Sequence, residues 1–128
     1  MSSVRKLKIL IVDDEEIVRF TLMAFFERLE HESEGLEDGQ AGLQALETGN
    51  YDIAFVDMRM PGLNGIDFLC RCRQIRPELP VVIITGHGSD DTRKKAMDSG
   101  AFGFLNKPFQ FNDIKDLTER VCSAARRK

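Results

Sequence analysis

The stretch ILIVDD at residues 9–14 decides the fold, because a short apolar run passes directly into two carboxylates. Three later apolar runs also end in a residue suited to metal or phosphate chemistry. They are residues 53–56 before Asp57, 81–84 before Thr85, and 102–105 before Asn106 and Lys107. Short continuous runs rich in Val and Ile are typical of parallel strands that are buried on both faces. The sequence therefore predicts a parallel sheet whose strands end in polar residues.

Between these runs the apolar spacing changes to that of amphipathic helices. The expected helices cover the residues after Asp14, 40–48, a segment through 66–70, the residues between Ser89 and Gly100, and a last helix capped by Asn112. Residues 31–37 contain only one strongly apolar residue, and we place an edge strand there because the first two helices need a connection. Alternating strands and helices predict an α/β doubly wound fold, with five parallel strands and helices on both faces.

Length and composition restrict the class of protein. A chain of 128 residues suffices for one hydrophobic core, so we predict one domain over residues 1–128. Its 18 Lys and Arg against 21 Asp and Glu give a net charge of -3, without the basic excess that nucleic-acid phosphates require. We therefore expect no direct binding of nucleic acid. No apolar run has the length of a signal peptide core or a membrane span, so we expect a soluble, cytoplasmic protein that does not contact membranes.

The polar strand ends predict a phosphoryl-transfer site. Ligand sites of parallel sheets lie beyond the carboxyl ends of the strands, where Asp13, Asp14 and Asp57 would meet Thr85 and Lys107. Close carboxylates repel one another, and a hard cation such as Mg²⁺ relieves that repulsion while leaving room for phosphate oxygens. Each residue taken singly is equally well explained as a turn, cap or loop residue. Their joint placement favours a carboxylate nucleophile with a metal, a lysine and a hydroxyl.

The whole arrangement resembles the receiver domain of two-component response regulators, and the resemblance covers nearly the entire chain. The matching motifs are Asp13-Asp14, Asp57, Met60-Pro61-Gly62 with Gly65, Thr85-Gly86, and Lys107-Pro108-Phe109. The resemblance implies the flavodoxin-like strand order 2-1-3-4-5. It also implies a tight turn with a cis bond between Lys107 and Pro108, since X-Pro bonds adopt cis at small cost.

The same resemblance implies that Asp57 accepts a phosphoryl group from a sensor histidine kinase or a phosphotransfer protein. Mg²⁺ would be held by Asp14, Asp57 and the backbone carbonyl of Arg59, with Asp13 acting through water. Thr85 and Lys107 would bind the phosphoryl oxygens. Such a domain promotes its own phosphorylation and dephosphorylation and is not an enzyme acting on other substrates.

The resemblance also predicts how the signal leaves the site. Phe104 occupies the switch position, where an aromatic side chain turns inward when Thr85 moves toward the phosphate. The signal is expected on the face of the fourth helix, fifth strand and fifth helix, which would contact an output domain, a target protein or a second copy of the chain. Arg59 and His87 are expected to influence the lifetime of the phosphate. The stretch ITGHG at residues 84–88 resembles receivers attached to transcriptional regulators.

Two other functions use similar residues. A phosphatase of the haloacid dehalogenase class has an aspartyl nucleophile, but its Asp-X-Asp-X-Thr motif differs from the DDEEI found at residues 13–17, and this chain has no room for a cap domain. A degenerate receiver would only bind other proteins. The presence of all five site residues argues against that alternative.

Overall fold

Five parallel strands form one sheet in the computed structural model of the protein, which describes residues 6–86 and 88–126. The strands are β1 (Lys8–Val12), β2 (Glu32–Leu36), β3 (Ile53–Asp57), β4 (Val81–Thr85) and β5 (Gly103–Asn106). The helices are α1 (Glu16–Arg28), α2 (Gly39–Thr48), α3 (Gly65–Ile75), α4 (Asp90–Asp98) and α5 (Phe111–Arg126). The strand order is β2-β1-β3-β4-β5, which confirms both the predicted α/β fold and the implied order.

The strands read as continuous apolar runs because helices cover both faces of the sheet. Along β1, Leu10 and Val12 belong to a core shared with α2 and α3, whereas Ile9 and Ile11 belong to a core shared with α1 and α5. All five residues of β3 and of β4 are buried. The buried central strands β3 and β4 therefore hold in place the residues at their carboxyl ends, Asp57 and Thr85.

The weakly apolar edge strand predicted from residues 31–37 is confirmed as β2. In the described chain it pairs with β1 alone, with Lys8 opposite Glu32 and Val12 opposite Leu36. An edge strand exposes one side to water, which explains why β2 carries two exposed glutamates, Glu32 and Glu34.

Two of the predicted helix ends are confirmed and one is wrong. The Ser89 hydroxyl accepts the N–H of Thr92 at 3.1 Å and caps α4, and Gly100, with a φ of 102°, follows the end of that helix. Asn112 does not cap α5, because the helix already begins at Phe111. The carboxylate of Asp113 instead accepts the N–H of Gln110 at 2.8 Å, just before the helix starts.

One further expectation can be compared with the structure: the Lys107–Pro108 bond is cis, as the resemblance implied. Cys70 is exposed and Cys72 is buried. Within residues 6–86 and 88–126, no helix combines the length and the apolar character needed to cross a membrane.

Candidate functional site

The predicted site residues stand together at the carboxyl edge of the sheet. Asp13 and Asp14 follow β1, Asp57 is the last residue of β3, and Thr85 is the last of β4. Lys107 follows β5, and its backbone N–H donates to the carbonyl of Thr85 at 2.8 Å. The parallel register of the strands therefore brings residues more than 90 positions apart to one edge.

The ammonium of Lys107 is shared by three carboxylates. Its Nζ lies 3.4 Å from Oδ1 of Asp57, 3.4 Å from Oδ2 of Asp13, and 2.8 Å from Oε1 of Glu15. Burial alone would lower the pKa of Lys107, but the hydrogen bond to Glu15 and the nearby negative charges raise it. The lysine therefore remains protonated and supplies one positive charge to a strongly negative site.

Asp57 is only 5% exposed, and its environment disfavours its charged form. Burial and then the charge of Asp13 raise its pKa from 3.8 to about 6, although Lys107 acts in the opposite direction. Burial also raises the pKa of Asp13, against the opposing effects of the Glu15 N–H and of Lys107. Without a further cation the site is therefore electrostatically unfavourable for its carboxylates.

The geometry of the carboxylates suits a divalent cation. Oxygens of Asp13, Asp14, Glu15 and Asp57 all lie within 4.8 Å of one another. Oδ1 of the fully buried Asp13 accepts the N–H of Glu15 at 2.8 Å, whereas its Oδ2 accepts no hydrogen bond from any described residue. Among the described residues this buried oxygen has only the Lys107 ammonium, 3.4 Å away, as a partner, and its carboxylate stands among three others. It therefore has the chemistry of a ligand for a hard metal ion.

Glu15 was not among the residues predicted for the site. Its hydrogen bond to Lys107, together with the positive charge of that lysine, lowers the pKa of Glu15, although its side chain is largely exposed. The available signal was the acidic run of residues 13–16, in which Glu15 directly follows the pair of aspartates. Charge alone did not indicate which of these side chains would turn toward the lysine.

The loop after β3 packs closely against the end of that strand. The N–H of Gly65 donates to the carbonyl of Met58 at 2.9 Å. A Cβ at Gly65 would lie 2.7 Å from the carbonyl oxygen of Asp57, so only glycine allows this approach. Arg59 is exposed in this loop, and its side chain borders a groove of ≈ 720 Å³ that Thr92 and Lys95 of α4 also line.

Gly88 connects the two predicted switch residues. Thr85 is 2% exposed, and Phe104 is half-buried against the core shared with α2 and α3. A Cβ at Gly88 would lie 2.9 Å from Cγ2 of Thr85 and 3.0 Å from Cε2 of Phe104, and it would also collide with the side chain of Asn106. The loop leading to α4 therefore rests directly on both switch positions, whereas His87 falls outside the described residues.

Comparison with proteins of known family identifies close relatives. The family model for the response regulator receiver domain matches residues 9–119. The DNA-binding transcriptional regulator NtrC of Klebsiella pneumoniae is 35% identical over 113 residues, which cover 88% of this chain and 24% of that protein. The response regulator ArlR of Staphylococcus saprophyticus is 35% identical over 127 residues, which cover 94% of this chain and 53% of that protein. The chain thus spans about a quarter to a half of the length of these relatives.

Solved structures agree with the sequence comparison. A response regulator receiver domain protein from Clostridium thermocellum superposes with a TM-score of 0.87 at 31% identity, covering 94% of this chain and 97% of that one. NtrX from Brucella abortus superposes with a TM-score of 0.88 at 31% identity, covering 95% of this chain and 28% of that one.

Proposed function

The chain belongs to the response regulator receiver domain family of two-component signalling, and we propose that Asp57 is the residue on which it accepts a phosphoryl group. The supporting observation is the position of the Asp57 carboxylate. It is nearly buried at the end of β3, with the Lys107 ammonium 3.4 Å away and three further carboxylates beside it. Such a carboxylate is a nucleophile placed next to both a cation and a metal-binding group.

In the proposed reaction an oxygen of Asp57 attacks the phosphorus of a phosphohistidine on a sensor histidine kinase or a phosphotransfer protein. The bond between phosphorus and the imidazole nitrogen breaks, the nitrogen keeps its electron pair, and an aspartyl phosphate forms. Lys107 is positioned to bind the phosphoryl oxygens, and the Thr85 hydroxyl is proposed to donate a hydrogen bond to them. Positioning and charge neutralisation are the main requirements of phosphoryl transfer, and these residues supply both.

We propose Mg²⁺ as the cation. Asp14, Asp57 and the backbone carbonyl of Arg59 would hold it, with Asp13 acting through water. Oδ2 of Asp13 fits that role, since it is buried and accepts no hydrogen bond from the described residues. When bound, Mg²⁺ supplies charge neutralisation to the carboxylates and to the incoming phosphate. Glu15 is left out of this proposed set because its carboxylate accepts a hydrogen bond from Lys107 at 2.8 Å, whereas Asp13 and Asp57 lie 3.4 Å from that ammonium.

Phosphorylation is proposed to change the surface formed by α4, β5 and α5, which then contacts a partner. Phosphorylation would draw Thr85 toward the phosphate and release the space that Phe104 then enters. Gly88 lies beside both side chains, since a Cβ there would meet each of them at about 3 Å. The proposed contact surface includes Arg93, Lys94, Lys95, Asp98, Lys115 and Glu119. It would bind an output domain, a target protein or a second copy of the chain in a symmetric dimer. Lys95 also faces the groove beside Arg59, so this surface extends toward α3.

We further propose that the domain works in the cytoplasm and that, where it is part of a longer protein, the output of that protein is the regulation of transcription. The supporting relatives carry transcriptional regulator in their names, and this chain corresponds to only part of each. Apart from its own phosphorylation and dephosphorylation, we propose no enzymatic activity.

One experiment distinguishes this function from its alternatives. The chain would be incubated with acetyl phosphate and Mg²⁺, with Asp57→Asn as the control. We expect one phosphate per wild-type chain and none on the variant. Continued turnover of small phosphate esters would indicate a phosphatase, and no phosphate uptake by the wild type would indicate a domain that only binds proteins.

A further inference from the structure

Three phenylalanines join α1 to the loop that carries Lys107. The ring of Phe25 contacts those of Phe109 and Phe111, with centroids 6.4 and 5.5 Å away and interplanar angles of 72° and 76°. These are edge-to-face contacts, which the charge distribution of aromatic rings favours. Arg28 lies one turn along the helix, with its guanidinium carbon 4.1 Å from the centroid of Phe111. We call Phe25, Arg28, Phe109 and Phe111 the aromatic clasp.

The clasp holds the middle of a loop whose ends are held by hydrogen bonds. At its start the N–H of Lys107 donates to Thr85, and at its end the N–H of Gln110 donates to the carboxylate of Asp113. Between these ends the Phe109 ring packs onto Phe25 and onto the core shared by α1 and α5. The position of the loop relative to α1 therefore depends on the contacts of Phe25.

We propose that Phe25 is a positioning residue for Lys107. Helix α1 begins three residues after Asp13, so the same rigid element follows the carboxylates at one end and holds the lysine loop through Phe25. The ring thereby fixes the distance between the Lys107 ammonium and Asp57. This inference rests on the proposed function, in which Lys107 binds the phosphoryl oxygens.

The effect of losing the ring is expected to be large because phosphoryl transfer depends on placement. A shift of about 1 Å in a catalytic group lowers a rate by on the order of 100-fold. The clasp lies on α1, on the loop after Lys107 and at the start of α5, whereas the carboxylates that would hold Mg²⁺ follow β1 and end β3. Loss of the ring should therefore not weaken metal binding.

The main variant is Phe25→Ala, with Phe25→Tyr as the conservative variant that keeps the ring. Phe102→Ala is the matched control, since Phe102 is also half-buried on the core of α1 and α5 and also carries an arginine, with Arg120 Cζ at 4.9 Å from its ring centroid. It lies at the opposite end of β5 from Lys107. If Phe25→Ala does not fold, Phe25→Leu, which keeps apolar volume without the ring, takes its place.

Three quantities would be measured for each variant. They are the NMR resonances of the Lys107 amide and ammonium, the Mg²⁺ affinity, and the initial rate of Asp57 phosphorylation by acetyl phosphate at saturating Mg²⁺. We expect Phe25→Ala to shift the Lys107 resonances and to lower the rate by roughly 10-fold to 100-fold. The Mg²⁺ affinity should not weaken, because a displaced Lys107 ammonium competes less with the cation for Asp13 and Asp57. Phe25→Tyr should keep the wild-type Lys107 resonances and the wild-type rate.

Lys107 resonances in Phe25→Ala that match those of the wild type would overturn the inference, and so would an equal shift in Phe102→Ala, which would indicate a general loss of stability. A wild-type chain that takes up no phosphate would instead contradict the proposed function. The Lys107 resonances would still decide whether Phe25 positions the lysine.

Discussion

Replacing Asp57 with asparagine should stabilise the protein when no divalent cation is present. Burial and the charge of Asp13 raise the pKa of Asp57 from 3.8 to about 6, a change of about 2 units. At about 1.36 kcal/mol per unit, the charged carboxylate opposes folding by up to about 3 kcal/mol. Asparagine is neutral and nearly isosteric, so it removes this contribution while keeping the volume of the side chain.

The sign of the pH dependence follows from proton binding. Between pH 3.8 and about 6 the native protein holds a proton on Asp57 that the unfolded chain has released. Wild-type stability should therefore fall as pH rises through this window, whereas the contribution is absent in Asp57→Asn. Wild type and Asp57→Asn should have similar stability near pH 3.8 and should differ most above about pH 6.

Urea unfolding in the presence of a chelator measures this difference. The free energy of unfolding would be determined from about pH 4 to about pH 7 at constant ionic strength. Asp14→Asn is a suitable control because it removes an exposed carboxylate from the same site. We expect a smaller change in stability for this control and a weaker affinity for Mg²⁺, with the fold retained. An Asp57→Asn variant that is no more stable than wild type at neutral pH would refute the electrostatic reasoning.

The remaining predictions concern three other positions. Gly88→Ala should weaken the response of α4 and β5 to beryllofluoride, measured by amide chemical shifts, because its methyl group would displace the Asn106 side chain and press on Thr85 and Phe104. In the control Gly86→Ala the nearest neighbour is a lysine carbon at 4.0 Å. His31 is buried with Nδ1 accepting the Leu7 N–H at 3.0 Å, and burial lowers its pKa below 6.5, so it should cause stability to fall as pH drops below that value. The free energy of unfolding of His31→Asn, which retains an acceptor but does not titrate, should depend less on pH than that of the wild type. Arg59→Ala should change the rate at which phosphate leaves Asp57, and an unchanged decay rate would identify Arg59 as an ordinary solvated side chain.

The central strands could be predicted from sequence because their burial leaves a continuous signal. Residues 53–56 and 81–84 are apolar without alternation, as expected for strands covered on both faces. The prediction of strand β2 rests mainly on connectivity, because an edge strand with exposed glutamates lacks that signal. The start of α5 was misplaced because several polar residues there could cap a helix, and Asp113 rather than Asn112 makes the hydrogen bond that precedes it.

The site was predictable to the extent that each residue directly ends a strand. Topology alone brings Asp13, Asp57 and Lys107 to one edge, whatever the details of the side chains. The hydrogen bond from Lys107 to Glu15 and the contacts of Phe25 with the lysine loop were not predicted, since both depend on side-chain directions across elements far apart in sequence. Such contacts carry no periodic pattern that a single sequence would reveal.

The most direct test of the proposed function is to locate the phosphoryl group after reaction with acetyl phosphate and Mg²⁺. Reduction of the phosphorylated chain with borohydride converts an acyl phosphate on aspartate into a homoserine, which peptide mass spectrometry can assign to one position. We expect homoserine at position 57 in the wild type and no homoserine in Asp57→Asn. Reduction at Asp13 or Asp14, or a wild-type chain that is not modified under conditions that phosphorylate another receiver, would contradict the assignment of Asp57 as the phosphoryl acceptor.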